Sequence, residues 1–254
     1  MAVLIYGRLL SLLLVSMSSK GKYIGISNRI PLVVLEYAVS DYISTGQVNA
    51  AAYFKYIQEF TKGENRAKKT LSHLVAIIYK NSSLINQLAK QIKGDFLSLS
   101  ENDRRAVLIS LYAHTFPIAY DILLAFSVGF KVQEVISKRV VLEKMGALYG
   151  SNRSMLIGVD ETIPLFLDCG IITRQKIGIY AKGLTLKITN NFVSELIIYT
   201  NIKLSGSKSI LVDELNFKPW YSYFELENGM KINFNQLLSK KDSAVGKGYI
   251  TISG

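Results

Sequence analysis

Cysteine occurs once, at Cys169, tryptophan once, and histidine only at His73 and His114. A single cysteine forms no intramolecular disulfide and no zinc cluster, and it suits a reducing, cytoplasmic compartment. The two histidines lack metal-ligand spacing, and neither lies beside a nucleophile motif. GxxxxGK[ST], GxGxxG and HExxH are absent, which removes the common phosphate-loop, dinucleotide and zinc-protease signatures. No apolar stretch reaches the ~18 residues that a membrane-spanning helix needs. The sequence therefore predicts no enzyme, no metal, no cofactor and no membrane partner. Proline is also scarce at 4 positions, which favours long helices.

Acid is scarce as well. The chain carries 19 Asp plus Glu against 30 Lys plus Arg, a net +11. The excess is uneven. Residues 1–100 hold 12 basic and 5 acidic side chains, +7, and residues 101–254 hold 18 and 14, +4. Such a field favours an anionic partner, either nucleic acid or an acidic protein surface. What is plentiful is apolar: 49% of 254 residues are hydrophobic, enough for one large domain or a core domain with a smaller lobe.

At the N-terminus, Leu9–Val15 is a short apolar run after Arg8, followed by Ser16-Met17-Ser18-Ser19. The preferred reading makes Met17 the start and residues 1–16 a loose addition; the alternatives are a secretory signal or an anchor. Residues 1–30 are read as a tail. Pro31 then opens a helix through Leu32, Leu35, Val39 and Ile43 to Gly46. Asn49 caps a second helix to Phe60, and a third runs from about Glu64 to Tyr79. Ser82 or Ser83 caps a fourth, ending at Gly94. Ser100 with Asp103 opens a fifth as a capping-box variant. Pro117 starts a sixth, ending at Gly129. A seventh spans Val132 to Met145, closed by Gly146, and an eighth spans roughly Asp160 to Asp168. Beyond Gly170 the apolar period shifts towards two, at Ile177, Ile179, Leu184, Leu186 and Ile188, with a possible turn at Lys182-Gly183. A helix over about Phe192–Leu204 and strands near Met230–Phe234 and Tyr249–Ile252 complete the chain.

Placed at about 100° per residue, Lys62, Arg66, Lys69, His73 and Lys80 fall on one stripe of the third helix. Ala67, Leu71, Leu74, Val75 and Ile78 fall opposite. A basic ridge without acid pointing away from a buried face suits phosphate contact, although charge runs are more often plain solvated faces. The loop Gly150-Ser151-Asn152-Arg153 offers either a phosphate approach with Arg153 as donor or a turn in which Asn152 or Ser154 caps the next helix. Arg174, Lys176 and Lys182 would charge a wing-like hairpin that follows a helix directly. Tyr53, Tyr56 and Tyr79 sit near basic residues, where bases could stack, yet core packing explains most of the 15 tyrosines. His114 reads as a satisfied core or rim residue, Cys169 as a small buried one, and Asp160-Glu161 as charge at a helix N-terminus.

The order of elements carries a family resemblance. A helix around Leu35–Thr45 precedes a basic helix with Asn65-Arg66-Ala67-Lys68-Lys69-Thr70 and a leucine-rich helix ending at Lys93. Apolar helices follow with Leu111-Tyr112-Ala113-His114 and Tyr120-Asp121-Ile122-Leu123. The last element ends in Leu167-Asp168-Cys169-Gly170-Ile171-Ile172. Over roughly Leu32–Tyr180 this resembles the BrxA family of the BREX phage-defence systems. The resemblance implies a NusB-like helical fold, DNA contact and a host-defence setting with protein partners. The expected architecture is thus mainly α: a NusB-like multi-helix domain over 31–170, then a smaller mixed α/β lobe over 171–254 with a wing-like hairpin. The expected function is phosphate-directed binding of double-stranded DNA through Lys62, Arg66, Lys69, His73, Lys80, Arg153, Arg174 and Lys176. The alternative is a scaffold subunit that meets an acidic protein instead.

Removing Met1–Ser16 is expected to leave a soluble chain with an unchanged melting temperature. A large drop in that temperature would assign those residues to the fold.

Overall fold

The computed structural model describes residues 22–226, 234, 236–242 and 247–253. Helix α1 (Leu32–Thr45) begins after Pro31 at φ −59°, and stops at Gly46, whose left-handed φ of 70° lets its N–H close on the Tyr42 carbonyl. Helix α2 (Ala50–Phe60) is capped by the Asn49 side chain, which accepts from the Ala52 N–H. Helix α3 (Glu64–Lys80) follows after Gly63. Helix α4 (Ser82–Gln91) is entered through Asn81 rather than capped by Ser82 or Ser83. The Asn81 amide is instead buried, donating to the carbonyls of Ile77 and Leu111 and to the Thr115 hydroxyl.

Helix α5 (Glu101–Thr115) is capped by Ser100, which accepts from the Asp103 N–H as the capping-box reading required. Helix α6 (Ile118–Phe130) follows Pro117. No single helix among the described residues is long and apolar enough to cross a membrane; α5 and α6 pass that test only as a pair bent by 118°.

The next two helices differ from the sequence reading. Val132 does not start a helix: strand β1 (Val135–Ser137) intervenes, and α7 (Lys138–Tyr149) contains Gly146 instead of ending there. Ser137 caps α7 through the Val140 N–H. Helix α8 (Arg153–Asp168) starts seven residues earlier than expected and includes Pro164. Gly158 hid its first half, because glycine adds nothing to an apolar pattern. Its place is nonetheless required: a Cβ there would lie 2.6 Å from Ile24 Cγ2. Asp160 and Glu161 are accordingly mid-helix residues, and Asp160 pairs with Lys138.

Strands β2 (Ile172–Lys176) and β3 (Ile179–Lys182) form an antiparallel hairpin turning at Ile177-Gly178, so Lys182-Gly183 is not the turn. Gly183 instead donates its N–H to the Ile171 carbonyl. Strand β1 pairs with β3, Ile136 opposite Tyr180, giving the order β1-β3-β2. Strand β4 (Leu186–Ile188) continues as a separate parallel pair with β6 (Phe224–Leu226). Helix α9 (Asn191–Ser205) lies between them in sequence. Strands β5 (Ser209–Leu211), β7 (Leu238–Lys241) and β8 (Tyr249–Ile252) form an antiparallel sheet ordered β5-β8-β7. The strand expected near Met230–Phe234 falls largely outside the described residues. The described chain is mainly helical, with strands concentrated towards its C-terminal part.

The core centres on α5, buried from Ala106 to Ala113. Helices α1, α3, α6 and α9 and strand β4 pack against it. Two buried carboxylates fasten the later segments. Asp103 Oδ1 accepts the N–H groups of Thr189 and Asn190, and its Oδ2 accepts the hydroxyls of Ser100 and Thr189. Glu195 Oε2 accepts the N–H groups of Gln236, Leu237 and Leu238. Trp220 donates to the Ile197 carbonyl and Tyr223 to that of Leu123, closing the far side.

Asp103→Ala strands several buried donors at once. It is expected to cost about 2–5 kcal/mol in urea unfolding; a loss below about 1 kcal/mol would show that the carboxylate is not the fastening point.

Candidate nucleic-acid interface

Residues 22–30, read from the sequence as the end of a tail, run as an extended strap between α3 and α8. Ile26 and Ile30 are buried. Asn28 donates to the Arg66 carbonyl and to the Thr70 hydroxyl, and Thr70 donates to the Arg29 carbonyl. Ser27 donates its N–H to His73 Nε2 at 3.2 Å. On the α8 side, Arg29 grips Asp168 with contacts of 2.7 and 3.0 Å. At its start, Lys22 pairs with Asp121.

This strap corrects the expected face of α3. The buried positions are Ala67, Thr70, Leu74, Ile77 and Ile78, whereas Leu71 and Val75 are only partly buried. On the flank bearing Thr70 and His73 the strap satisfies the Thr70 hydroxyl and contacts the His73 ring nitrogen. The basic stripe is therefore not one continuous outward ridge. His73 is half-buried under Ser27, its ring edge-on to Phe116, and burial, with Lys69 nearby, lowers its pKa. An imidazole that accepts an N–H in this way is held neutral, so His73 is a strap contact instead of an outward phosphate donor. Lys80 lies over the Tyr23 ring, 5.2 Å from its centre, about 16 Å along the helix from Lys69.

The remaining basic residues of that region converge. Lys62, Arg66 and Lys69 come from the α2–α3 connection and the first half of α3, and Arg153 comes from the first turn of α8. All four are exposed and line one open cleft of about 590 Å³. Arg29, paired with Asp168, also lines the wall, and Glu161 is the one carboxylate in it. None of Lys62, Arg66, Lys69 and Arg153 makes an ion pair with a described residue. Asn152 caps α8 through the Met155 N–H, so the loop resolves in favour of the cap while still delivering Arg153 to the cleft. The helix N-terminus adds partial positive charge there.

Arg174 and Lys176 do not join this group. They are exposed on β2, one of the two edge strands of its sheet, with Ile177 at the hairpin tip 95% exposed. Two contributors were missed by the sequence reading. Arg29 was discounted because it lay in a presumed tail, and Phe60, 48% exposed, because nothing in a helix terminus distinguishes a wall residue from a core one. Among the described residues no group of three His, Cys, Asp or Glu is placed to hold a metal. Its unpaired cations make the cleft electropositive, and Ser27 in the same wall holds its hydroxyl 3.1 Å from His73 Nε2.

Lys80 instead borders a second cleft with Lys203, Tyr199 and His114. The Thr200 hydroxyl donates to the Leu196 carbonyl, so it accepts from His114 Nε2 at 3.0 Å. Burial, with Lys203 nearby, pushes the His114 pKa down to about 4. Cys169 is fully buried and burial raises its thiol pKa, in keeping with a packing role. Comparison with protein-family models, curated proteins and solved structures gives no match for this chain.

The imidazole of His114 is neutral in the fold but titrates near 6.5 once exposed, so unfolding takes up a proton between those values. Its contribution to stability is complete above about pH 6.5 and is lost as pH falls towards 4. The loss is expected to reach about 3 kcal/mol in urea unfolding at pH 4 relative to pH 7. His114→Gln should flatten most of that dependence, and an equally steep profile in the variant would assign it to other groups.

Proposed function

We propose that this chain binds double-stranded DNA through its phosphates, without catalysis. The observation that carries the reading is the convergence of Lys62, Arg66, Lys69 and Arg153 on one open cleft from elements distant in sequence. Each cation that meets a phosphate releases counterions, and the one acid in the wall leaves the local charge strongly positive. In the same reading the helical body is NusB-like and the β2–β3 hairpin acts as a wing: it follows α8 directly, and Arg174, Lys176 and Lys182 stand exposed along it. The resemblance of the sequence to the BrxA family would imply a phage-defence setting with protein partners in a larger complex. Phosphate-directed binding has no built-in sequence preference.

Mobility shift with a generic duplex is expected to show binding at 50 mM salt and an affinity about 10³-fold lower at 200 mM. Arg66→Glu with Lys69→Glu should change stability by no more than about 0.5 kcal/mol per site, while weakening binding to every duplex and flattening the salt slope. Leu74→Ala should do the opposite, costing about 2–5 kcal/mol through a core cavity. No binding at 50 mM salt would overturn the reading in favour of an acidic protein partner. Unchanged affinity and slope in the double variant would move the contact to Arg174 and Lys176.

A further inference from the structure

The basic cleft has a neighbour of different character. A second opening, about 480 Å³, shares Arg29, Pro31 and Phe60 with it. Its three arginines are each matched by a carboxylate: Arg29 with Asp168, Arg104 with Glu36 and Arg105 with Glu101. It therefore has little net pull on a phosphate, and its wall includes Val33, 45% exposed, and the ring of Phe60. The Phe60 ring belongs to both openings. From it an aromatic row continues, Phe60 to Tyr56 at 5.2 Å and Tyr56 to Tyr37 at 5.0 Å between ring centres, with Tyr37 exposed at its end. Of these rings Phe60 alone lines the openings; Tyr56 packs partly against the core, and Tyr37 meets the buried Tyr53 ring edge-on at 6.0 Å.

A nucleotide has the same division: an anionic phosphate and an uncharged planar base that stacks on aromatic faces. In duplex DNA the bases are already stacked and cannot use such a surface. Unpaired ones can. We propose that the opening beside the basic cleft receives unpaired bases of a DNA strand, stacked on Phe60 and passing towards Tyr56 and Tyr37, while the phosphates of the same strand lie against Arg66, Lys69 and Arg153. The preferred ligand is then a duplex with a single-stranded extension. This rests on the DNA-binding reading above and names the form of DNA within it.

The test compares a blunt duplex with the same duplex bearing a ten-nucleotide extension, by fluorescence anisotropy on the full chain. The extension is expected to tighten binding about tenfold, the gain from roughly one well-stacked base. A 2-aminopurine placed in the extension should lose fluorescence on binding. Phe60→Leu, and separately Tyr37→Leu, keep an apolar side chain and should shrink the ratio of the two affinities to less than about twofold. Arg66→Glu should weaken both ligands while keeping the ratio. Equal affinity for the two DNAs, or no quenching of 2-aminopurine, would overturn this proposal and leave duplex binding standing. Absence of binding to either DNA would overturn both readings. If a ring variant fails to melt cooperatively, the quenching seen with the unaltered chain decides the matter.

Discussion

Helix α5 has no solvent face between Ala106 and Ala113, and a helix that is apolar all round has to be enclosed by other elements. That requirement organises the chain. Helices α1 and α3 pack on it from the N-terminal side of the sequence, α6 follows it directly, and α9 and β4 return to cover what is left. Its start is fixed by Asp103, whose carboxylate is only 1% exposed and accepts from the backbone at Thr189 and Asn190. These hydrogen bonds tie the cap of α5 to the cap of α9. Glu195 repeats the device for the segment leading into β7.

The basic cleft is a consequence of that enclosure. Because Leu74 and Ile78 of α3 are committed to the core, the flank bearing Thr70 and His73 is left for another segment to cover. The strap completes it, and it fits because Gly158 presents no side chain where Ile24 passes. A segment that spans α3 and α8 in this way holds the first half of α3 opposite the first turn of α8. The space between them is where Arg66, Lys69 and Arg153 meet. Mutual repulsion among those cations is tolerated because all are exposed to water, where Coulomb energies between neighbouring charges are only about 1 kcal/mol. Arg29, by contrast, is neutralised by Asp168 at 2.7 Å and serves the strap as well as the cleft.

Much of the helical framework was legible locally. Gly46 and Asn49 behave as their chemistry dictates, as does Ser100 opposite Asp103, because caps and left-handed stops depend on atoms within a few residues. The failures have equally local causes. Gly158 concealed the true start of α8, since it contributes nothing to an apolar period. Gly146 looked like a stop but lies inside α7, its packing against α8 overriding a weak helix propensity. The turn at Ile177-Gly178 was displaced to Lys182-Gly183 because alternating apolar residues on both sides left the register open.

The site was half legible. Lys62, Arg66 and Lys69 share a helix-period stripe that any reader of the sequence finds, and so does Lys80. What periodicity cannot state is which part of a stripe is covered: His73 belongs to the pattern and is nonetheless capped by Ser27, from 46 residues away. The sequence by itself determined the charge excess, the helix caps and the amphipathic character of α3. Only the tertiary structure decided that Arg153 would face Arg66, that Arg29 would lie in the wall and that Phe60 would stand between two openings. The physical reason is that caps and periodicity are set by neighbours along the chain, whereas a cleft is the gap left between elements after the core has claimed their apolar faces.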